Sequence, residues 1–441
     1  MKQNNKTKFI LITIILIGIL IRLIYMLDAP IYTIQYDIGL ENMSKDIDYD
    51  SFFELDRNYV KENGNMEYLI TVYKTGHMLE SNTNQGYHPP FHHYIAAGVM
   101  RFCDLFGASN KFKLEAAEFP AFVYSVLIII IIYKITRELE LKDGATIIVM
   151  ALASFNPLLI FLSRHINNDP LVTLCICITM LYLIKWYKQP SMKYTIVLAL
   201  AIGLGASSKI SIIVMMLPLF ITYLVKLQKE IDNFDMVKKI LVYGLVFGVI
   251  ATPLVFWYPI RNAIKFSQPP FGIAAASSEF SVAHTDFLNR WLINNEFFSD
   301  KLELTASNVW CYVLNSSIIF ALDIAYLPHS FLNFMRVISL SLIVFAIIAM
   351  IKYFRKNYIY TMLEITSFAW LISFISFNIS LPYSCTMHSR YIVALYIIGM
   401  IFIGKLFESI NKKWLKVLIS ILVILYCLGT VAIFAKIFYS V

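Results

Sequence analysis

Long apolar runs recur along this chain, separated by short polar segments. A helix needs about 20 apolar residues to cross the hydrocarbon core of a bilayer, and about eleven runs (range ten to thirteen) approach that length. The pattern therefore predicts an all-α polytopic membrane protein. The predicted spans are 9–27, 116–135, 144–163, 170–187, 194–208, 209–227, 238–257, 332–352, 360–379, 390–408 and 414–437.

Composition supports the membrane assignment. The 441 residues are 59% hydrophobic and 15% charged, whereas soluble domains are about 45–50% apolar and about 25% charged. The 27 Tyr and 33 Phe suit aromatic belts at the two membrane interfaces. The net charge of +8 is the excess of Lys and Arg expected of cytoplasmic loops, so we expect no nucleic-acid partner.

Basic residues predict the orientation of the spans. The first segment, MKQNNKTK, holds three Lys and no acid, which places the N-terminus in the cytoplasm. The first apolar run carries Arg22 and is followed by no small-residue cleavage site, so we expect an uncleaved span of a multi-pass plasma (cytoplasmic) membrane protein. Lys and Arg concentrate in the connections 136–143, 185–193, 226–239, 352–357 and 405–416.

This orientation places the long loop 28–115 outside the cytoplasm. Its apolar stretch 89–106 is then predicted to lie on the outer leaflet as an amphipathic helix, because an extra span would reverse every later loop. The same reasoning predicts a second membrane-surface helix at 308–326, within an exoplasmic segment 258–331. All eight His fall on the exoplasmic side or at its edge, which favours a polar site facing outward.

Several familiar motifs are absent from the sequence. It has no G-x-x-x-x-G-K-[ST] loop, which makes an ATP-driven pump an unlikely reading. It has no H-E-x-x-H or C-x-x-C pair for zinc, and its six Cys are scattered. No cofactor is indicated with certainty, a divalent metal is possible, and the metal ligands stay unknown.

The first candidate for chemistry is Asp37 in QYDIG, about ten residues beyond the first span, with Tyr36 before it. A carboxylate close to the membrane surface is partly desolvated, which raises its pKa and suits it to act as a general base. The alternative is an ordinary solvated acid in a loop.

Three further polar segments lie at predicted outer turns. SRHINNDPLV contains Arg164, Asn168 and Asp169, and its structural alternative is that Asp169 only caps the next helix. Lys209 in SSKIS and Arg390 in HSRY could hold a phosphate, or Arg390 could reach lipid headgroups. Acidic and basic side chains on the outer loops together suit a substrate that joins a phosphate in the membrane to a hydroxyl-rich part, as a lipid-linked sugar phosphate does.

These features resemble, in order, the GT-C polyprenyl-phosphate-dependent glycosyltransferases over most of the first 230 residues. The similarity is to bacterial glycosyltransferase family 39-type proteins, akin to protein O-mannosyltransferases and the aminoarabinose transferase of lipid A. The motifs are QYDIG, YHPPFHHYIAA, NPLLIFLSRHINNDPL, SSKIS and HSRYIVAL. Many members have Asp-Glu where this chain has Asp37-Ile38, so the second acid is missing or is supplied by Glu41 or another loop residue.

The resemblance implies a catalytic module at 1–230 and a variable module at 231–441. It implies inverting sugar transfer from a polyprenyl-phosphate donor to an exoplasmic acceptor, within membrane lipid. Asp37 would be the general base, and Asp169, the other residue assigned to the catalytic site, would orient the acceptor or the donor sugar with Asn168. The donor phosphate would meet His88, Arg164, Lys209 and Arg390. The remaining substrate contacts would be Tyr36, Asn168, Glu41 and His92, with His92 and His93 on the polar side of the surface helix.

Two other functions remain open at this point. A transporter or flippase of a lipid-linked saccharide predicts ionisable residues in mid-membrane and inverted repeats. A non-catalytic scaffold of an envelope-polymer complex predicts that Asp37→Asn is tolerated. The sequence does not specify the sugar, the acceptor or the carrier.

Overall fold

The computed structural model describes residues 5–28, 49–81, 84–267, 281–283, 285–292, 307–320 and 327–440. Within these residues the fold is helical, with one isolated β-bridge between Ser281 and Tyr383 and no β-strand. The described residues form eighteen α-helices. In chain order α1 to α18 are Asn5–Asp28, Tyr49–Phe53, Asn65–Thr75, Phe91–Asp104, Asn110–Ala116, Phe119–Glu138, Asp143–Ser154, Pro157–Phe161, Asp169–Lys188, Met192–Ala206, Met216–Lys229, Phe234–Phe266, Phe287–Trp291, Val309–Ile319, His329–Tyr353, Tyr358–Ser380, Val393–Ser409 and Lys413–Ser440.

Nine helical segments of the described chain are long and apolar enough to cross a membrane. A tenth is added if α7 and α8, which meet at a 52° bend, count as one broken span. The nine segments are Asn5–Asp28, Asn110–Glu138, Asp169–Lys188, Ile210–Lys229, Phe234–Phe266, His329–Tyr353, Tyr358–Ser380, Ser384–Ser409 and Lys413–Ile437.

Every predicted span lies in a helical part of the chain, but the count of eleven is not confirmed. The run predicted at 194–208 folds as α10, which has 15 residues. At 1.5 Å per residue such a helix is roughly 22 Å long, less than the roughly 30 Å of the hydrocarbon core. Gly203 lets α10 approach α12 closely, since a Cβ there would lie 2.6 Å from a side-chain carbon of Leu254.

The break between α7 and α8 explains the arginine in the first span. Pro157 cannot continue the ladder of α7 because it has no N–H. The buried guanidinium of Arg22 donates to the freed carbonyl of Ser154 at 2.7 Å and to the carbonyl of Gly18 at 2.8 Å. Arg22 therefore satisfies backbone groups that lipid could not.

The chain divides into two compact units, each discontinuous in sequence. Unit 1 comprises Met1–Ala29, Val126–Phe161 and Ala276–Val441, and unit 2 comprises Pro30–Ser125 and Leu162–Ala275. These boundaries differ from those of the predicted modules 1–230 and 231–441, whose division into catalytic and variable parts stays a prediction.

Unit 2 contains a small core built by α2 to α5, with Ile166 packed into it. The amphipathic helix predicted at 89–106 is α4, and its hydrophobic residues are split between a buried and an exposed side. The prediction for His92 and His93 was wrong, because both are fully buried on the inner face. The exposed face carries Tyr94 and Phe102 instead.

The helix predicted at 308–326 forms in part as α14, but it does not lie on a surface. Cys311 and every later residue of α14 are buried within unit 1. Its polar Asn315 accepts a hydrogen bond from Nε of Arg336 at 2.9 Å. A helix without a solvent-facing polar side packs inside the protein, which is why a surface position was the wrong expectation.

Candidate functional site

The Pro-Pro segment of the first loop is fixed from three directions within unit 2. The backbone N–H of Phe91, just after Pro90, donates to the carbonyl of Ser207 at 3.1 Å. The hydroxyl of Tyr258 donates to the carbonyl of Gly86 at 2.6 Å. Tyr68 similarly donates to the carbonyl of His88 at 3.2 Å. The segment therefore docks on the turn that carries Lys209, with the His88 side chain half-buried.

The polar turn 163–169 is buried along its whole length. Arg164 pairs with Glu118, the residue before α6, through contacts of 3.1 Å from Nε to Oε2 and 2.9 Å from Nη2 to Oε1. Their side chains are 0% and 1% exposed. A planar guanidinium in two-point contact with a carboxylate is a rigid link, so this pair fixes the turn.

Asp169 is held by a different cation. Its carboxylate Oδ1 lies 2.5 Å from Nζ of Lys209, and the two side chains are 5% and 9% exposed. Its backbone N–H is accepted by Oδ1 of Asn167 at 3.0 Å. Asp169 begins α9, yet the side chain at the N-cap position is that of Asn168, which makes no capping hydrogen bond. The carboxylate of Asp169 therefore serves the ion pair.

Polar groups with no protein partner border this ion pair. Asn168 and Ser208, the chain neighbours of Asp169 and Lys209, are buried, and neither side chain forms a hydrogen bond. Both ring nitrogens of His92 are also unpaired, and its ring is close enough to Asp169 to feel that charge. Buried polar groups are nearly always satisfied, so this cluster is ready to accept a polar ligand or water.

Burial lowers the pKa of His92 from an ordinary 6.5 to about 4, although the charge of Asp169 partly opposes the shift. Burial also holds the pKa of His93 well below its usual range. His93 stacks on Tyr68 with ring centroids 4.3 Å apart, and its Nε2 lies 3.1 Å from Oδ1 of Asn65. Both imidazoles are therefore neutral near pH 7.

Arg390 belongs to a separate polar cluster in unit 1. His388 links two short 3₁₀ helices, and its Nδ1 accepts the backbone N–H of Arg390 at 3.1 Å. The backbone N–H of Ser389 donates to Oγ of Ser316 at 2.9 Å. Nη2 of Arg390 is 3.1 Å from the hydroxyl of Tyr391. The guanidinium is thereby fixed beside an aromatic ring.

The predicted site residues thus fall into three sets. Unit 2 brings together Asp169, Lys209, Asn168 and His92, and it also holds Arg164 and His88. Arg390 lies in unit 1. Asp37, Tyr36 and Glu41 lie outside the described residues, and all the assigned roles stay predictions.

Sequence reasoning missed Glu118 and Ser208. One feature of the sequence could have indicated Glu118. An acid at the very start of a span requires a cation to pair with, and Arg164 likewise requires an acid. Among the residues that the structure describes, no three His, Cys, Asp or Glu side chains are grouped to hold a metal ion.

Residues 87–257 match the model of the family described as dolichyl-phosphate-mannose-protein mannosyltransferase. The resemblance seen in the sequence is confirmed. The matched segment starts beside His88 and contains Arg164, Asp169 and Lys209. No curated protein sequence matches the chain.

Two solved structures share the fold. ArnT from Cupriavidus metallidurans in the apo state superposes with a TM-score of 0.52 at 13% identity, covering 93% of this chain and 62% of ArnT. The archaeal oligosaccharyltransferase AglB from Archaeoglobus fulgidus, in complex with an inhibitory peptide and a dolichol-phosphate, gives 0.51 at 13% identity, covering 98% and 56%. The predicted GT-C fold is confirmed. The chain spans less than two thirds of either relative's length.

Proposed function

We propose that the protein is an integral membrane glycosyltransferase that moves a sugar from a polyprenyl-phosphate carrier to an acceptor hydroxyl on the exoplasmic side. The main support is the buried Asp169–Lys209 ion pair, which lies inside the family-matched segment and is bordered by polar groups without protein partners. The dolichol-phosphate bound by AglB supports a lipid-phosphate carrier.

The proposed reaction is a single displacement that inverts the anomeric carbon. The acceptor oxygen attacks that carbon while its bond to the phosphate oxygen breaks, and the phosphate leaves with the electron pair. Asp37 takes the acceptor proton, a step that typically contributes about 10²–10⁴-fold. Fixed cations stabilise the charge that develops on the phosphate, and the proposed groups are Lys209 and His88 of unit 2.

Other residues in this proposal position the substrates. Asp169, Asn168 and His92 contact the donor sugar or the acceptor, and Tyr36 and Glu41 complete the substrate contacts. The sequence places Arg164 among the phosphate ligands. Its guanidinium is held by Glu118 at two points, whereas Nζ of Lys209 meets Asp169 at Oδ1, so we propose that Arg164 acts through the turn that carries Asp169.

The test is a transfer assay on purified protein in lipid with a panel of polyprenyl-phosphate sugars, following release of free polyprenyl phosphate. We expect release by the wild type, a loss of at least about 10²-fold in Asp37→Asn, and a large loss in Asp169→Asn. Asp232→Asn, at an exposed acid, is the matched control and should keep full activity.

The outcomes separate the candidate functions. Equal release by wild type and Asp37→Asn would remove Asp37 as the base while keeping the enzyme. No release from any donor, together with movement of the lipid-linked sugar across vesicles, would overturn the proposal in favour of a flippase. Neither transfer nor movement would favour a scaffold.

A further inference from the structure

Unit 1 contains a buried cation that pairs with none of the described carboxylates. Arg290, in the short helix α13, is 6% exposed. Its Nη2 donates to the carbonyl of Asn378 at 2.6 Å. Among the residues that the structure describes, no carboxylate pairs with it, and its buried Nε has no hydrogen-bond partner.

One carbonyl does not account for this guanidinium. Asn378 lies in the last turn of α16, so Arg290 does complement the negative end of that helix. However, a guanidinium carries five N–H donors, and a buried charge without an opposite charge is costly. Burial lowers the pKa of Arg290, the direction expected when nothing offsets the desolvation. The missing component is an anion.

Aromatic side chains stand beside Arg290. Its guanidinium carbon is 5.8 Å from the ring centroid of Trp291, and the rings of Trp291 and Trp310 meet edge to face at 6.0 Å. Trp291, Trp310 and Tyr391 are all half-buried and pack against one hydrophobic cluster.

A membrane-interface belt is the simplest alternative for these rings. Belt residues turn their polar ends to water or headgroups. Here the indole N–H of Trp310 instead donates to the carbonyl of Trp291 at 2.9 Å. This bond fixes the two rings relative to each other.

A second cation stands at the same end of α16. Arg390 contacts the hydroxyl of Tyr391, and the ring of Tyr391 lies 5.2 Å from that of Phe377, the residue before Asn378. Arg290 and Tyr391 therefore both contact the last turn of α16, and Arg390 lies beside Tyr391.

We propose that Arg290, Trp291, Trp310 and Tyr391 form a binding site for an anionic saccharide. The guanidinium holds a phosphate or carboxylate, for which its planar fork is suited, and the aromatic faces pack against the C–H face of the sugar ring. The anion has two possible sources, the phosphate of a lipid-linked donor and the acid group of an acceptor glycan. Binding at this site does not require that transfer occur.

The test is ligand binding to the full-length protein in nanodiscs of phosphatidylcholine, read by tryptophan fluorescence and by the thermal unfolding midpoint. The probes are a polyprenyl phosphate, glucose 1-phosphate, glucuronate and neutral glucose. We expect the anionic probes to bind at least tenfold more tightly than glucose and to raise the midpoint. Tighter binding of the polyprenyl phosphate than of glucuronate assigns the donor, and the reverse order assigns the acceptor.

Variants tie that binding to Arg290. Arg290→Gln should weaken the binding of every anionic probe at least tenfold. Arg290→Lys keeps the positive charge but loses the planar guanidinium, and it should weaken binding less. Arg355→Gln, at an exposed arginine of the same unit, should bind as the wild type does. Unchanged binding in Arg290→Gln overturns the proposal. If that variant does not fold, equal binding of glucose and glucose 1-phosphate by the wild type overturns it.

Discussion

Arg164 and Glu118 are 46 residues apart in sequence and form a two-point ion pair that is almost entirely removed from solvent. Glu118 immediately precedes α6, and Arg164 opens the turn that leads to Asp169. The pair therefore joins the start of one helix to the turn before another. Because both side chains are buried away from water, each charge is stabilised by the opposite charge of its partner.

Glu118→Gln should destabilise the protein by about 3–5 kcal/mol, since it removes one partner of a buried ion pair. The unfolding midpoint in detergent measures this effect. The matched control is Asp143→Asn, because Asp143 pairs with Arg137 at 3.9 Å and both side chains are about one third exposed. That change should cost no more than about 1 kcal/mol. Equal effects of the two substitutions would contradict the proposed importance of burial.

His92 should make the protein less stable in mild acid. Its pKa is lowered from 6.5 in an unperturbed chain to about 4 in the fold. Between these values the unfolded chain binds a proton that the folded protein does not, so stability falls as pH drops from about 6.5 to 4 and is level above this window. His93 adds to the effect in the same direction because its pKa is also lowered.

Thermal unfolding at pH 7.5 and at pH 5 tests this expectation. The unfolding midpoint of His92→Phe should fall less between pH 7.5 and pH 5 than that of the wild type. His77→Gln, at an exposed histidine, should fall as the wild type does. If the unfolding midpoint of His92→Phe falls as much as that of the wild type, the acid sensitivity belongs to another group.

Hydropathy was a sound guide to where helices lie, because the length of an apolar run is a local property. The amphipathic helix α4 was likewise predicted close to its observed bounds. Which face of α4 is covered is not local, and for that reason His92 was placed on the wrong side. The sequence Asn156-Pro157 marks the break after α7, yet only packing shows that Arg22 satisfies the freed carbonyls.

In the candidate site, too, local features could be predicted from the sequence and long-range contacts could not. Its turn could be recognised from the polar residues Arg164, Asn168 and Asp169 in an apolar chain. The partners of these residues could not be recognised, because Glu118 and Lys209 come from distant parts of the sequence. Arg290 lies in a segment whose local pattern resembles an ordinary loop. Only the three-dimensional structure shows that no carboxylate among the described residues pairs with it.

The contact between α1 and α7 should be intolerant of added volume. A Cβ at Gly18 would lie 2.7 Å from Cβ of Ser154, whose carbonyl Arg22 binds. Gly18→Val should therefore lower the unfolding free energy by at least about 1–3 kcal/mol through overpacking. Gly248→Val is the control, since nothing lies within 4 Å of a Cβ there. An equally tolerated change at Gly18 would show that α1 can move away from α7.

The predicted orientation can be tested with single exposed cysteines. Lys111 lies in the loop expected outside the cytoplasm, and Asp232 lies in a connection expected inside it, with both residues exposed. A membrane-impermeant maleimide applied to intact cells should label Lys111→Cys and not Asp232→Cys. After permeabilisation both should label above the background of the native cysteines. The opposite pattern would reverse the topology and move the proposed site to the cytoplasm.

The Asp169–Lys209 pair allows a functional role to be separated from a structural one. Asp169→Leu or Lys209→Met alone removes one partner of a buried ion pair and should cost about 3–5 kcal/mol. The double variant removes both charges, and replacing a buried pair by apolar residues is often neutral for stability. We therefore expect the double variant to regain the wild-type unfolding midpoint while release of polyprenyl phosphate stays at least about 10²-fold lower. Recovery of both stability and transfer would show that the pair only supports the fold. Loss of stability in the double variant would mean that the unpaired neighbours Asn168 and Ser208 depend on these charges.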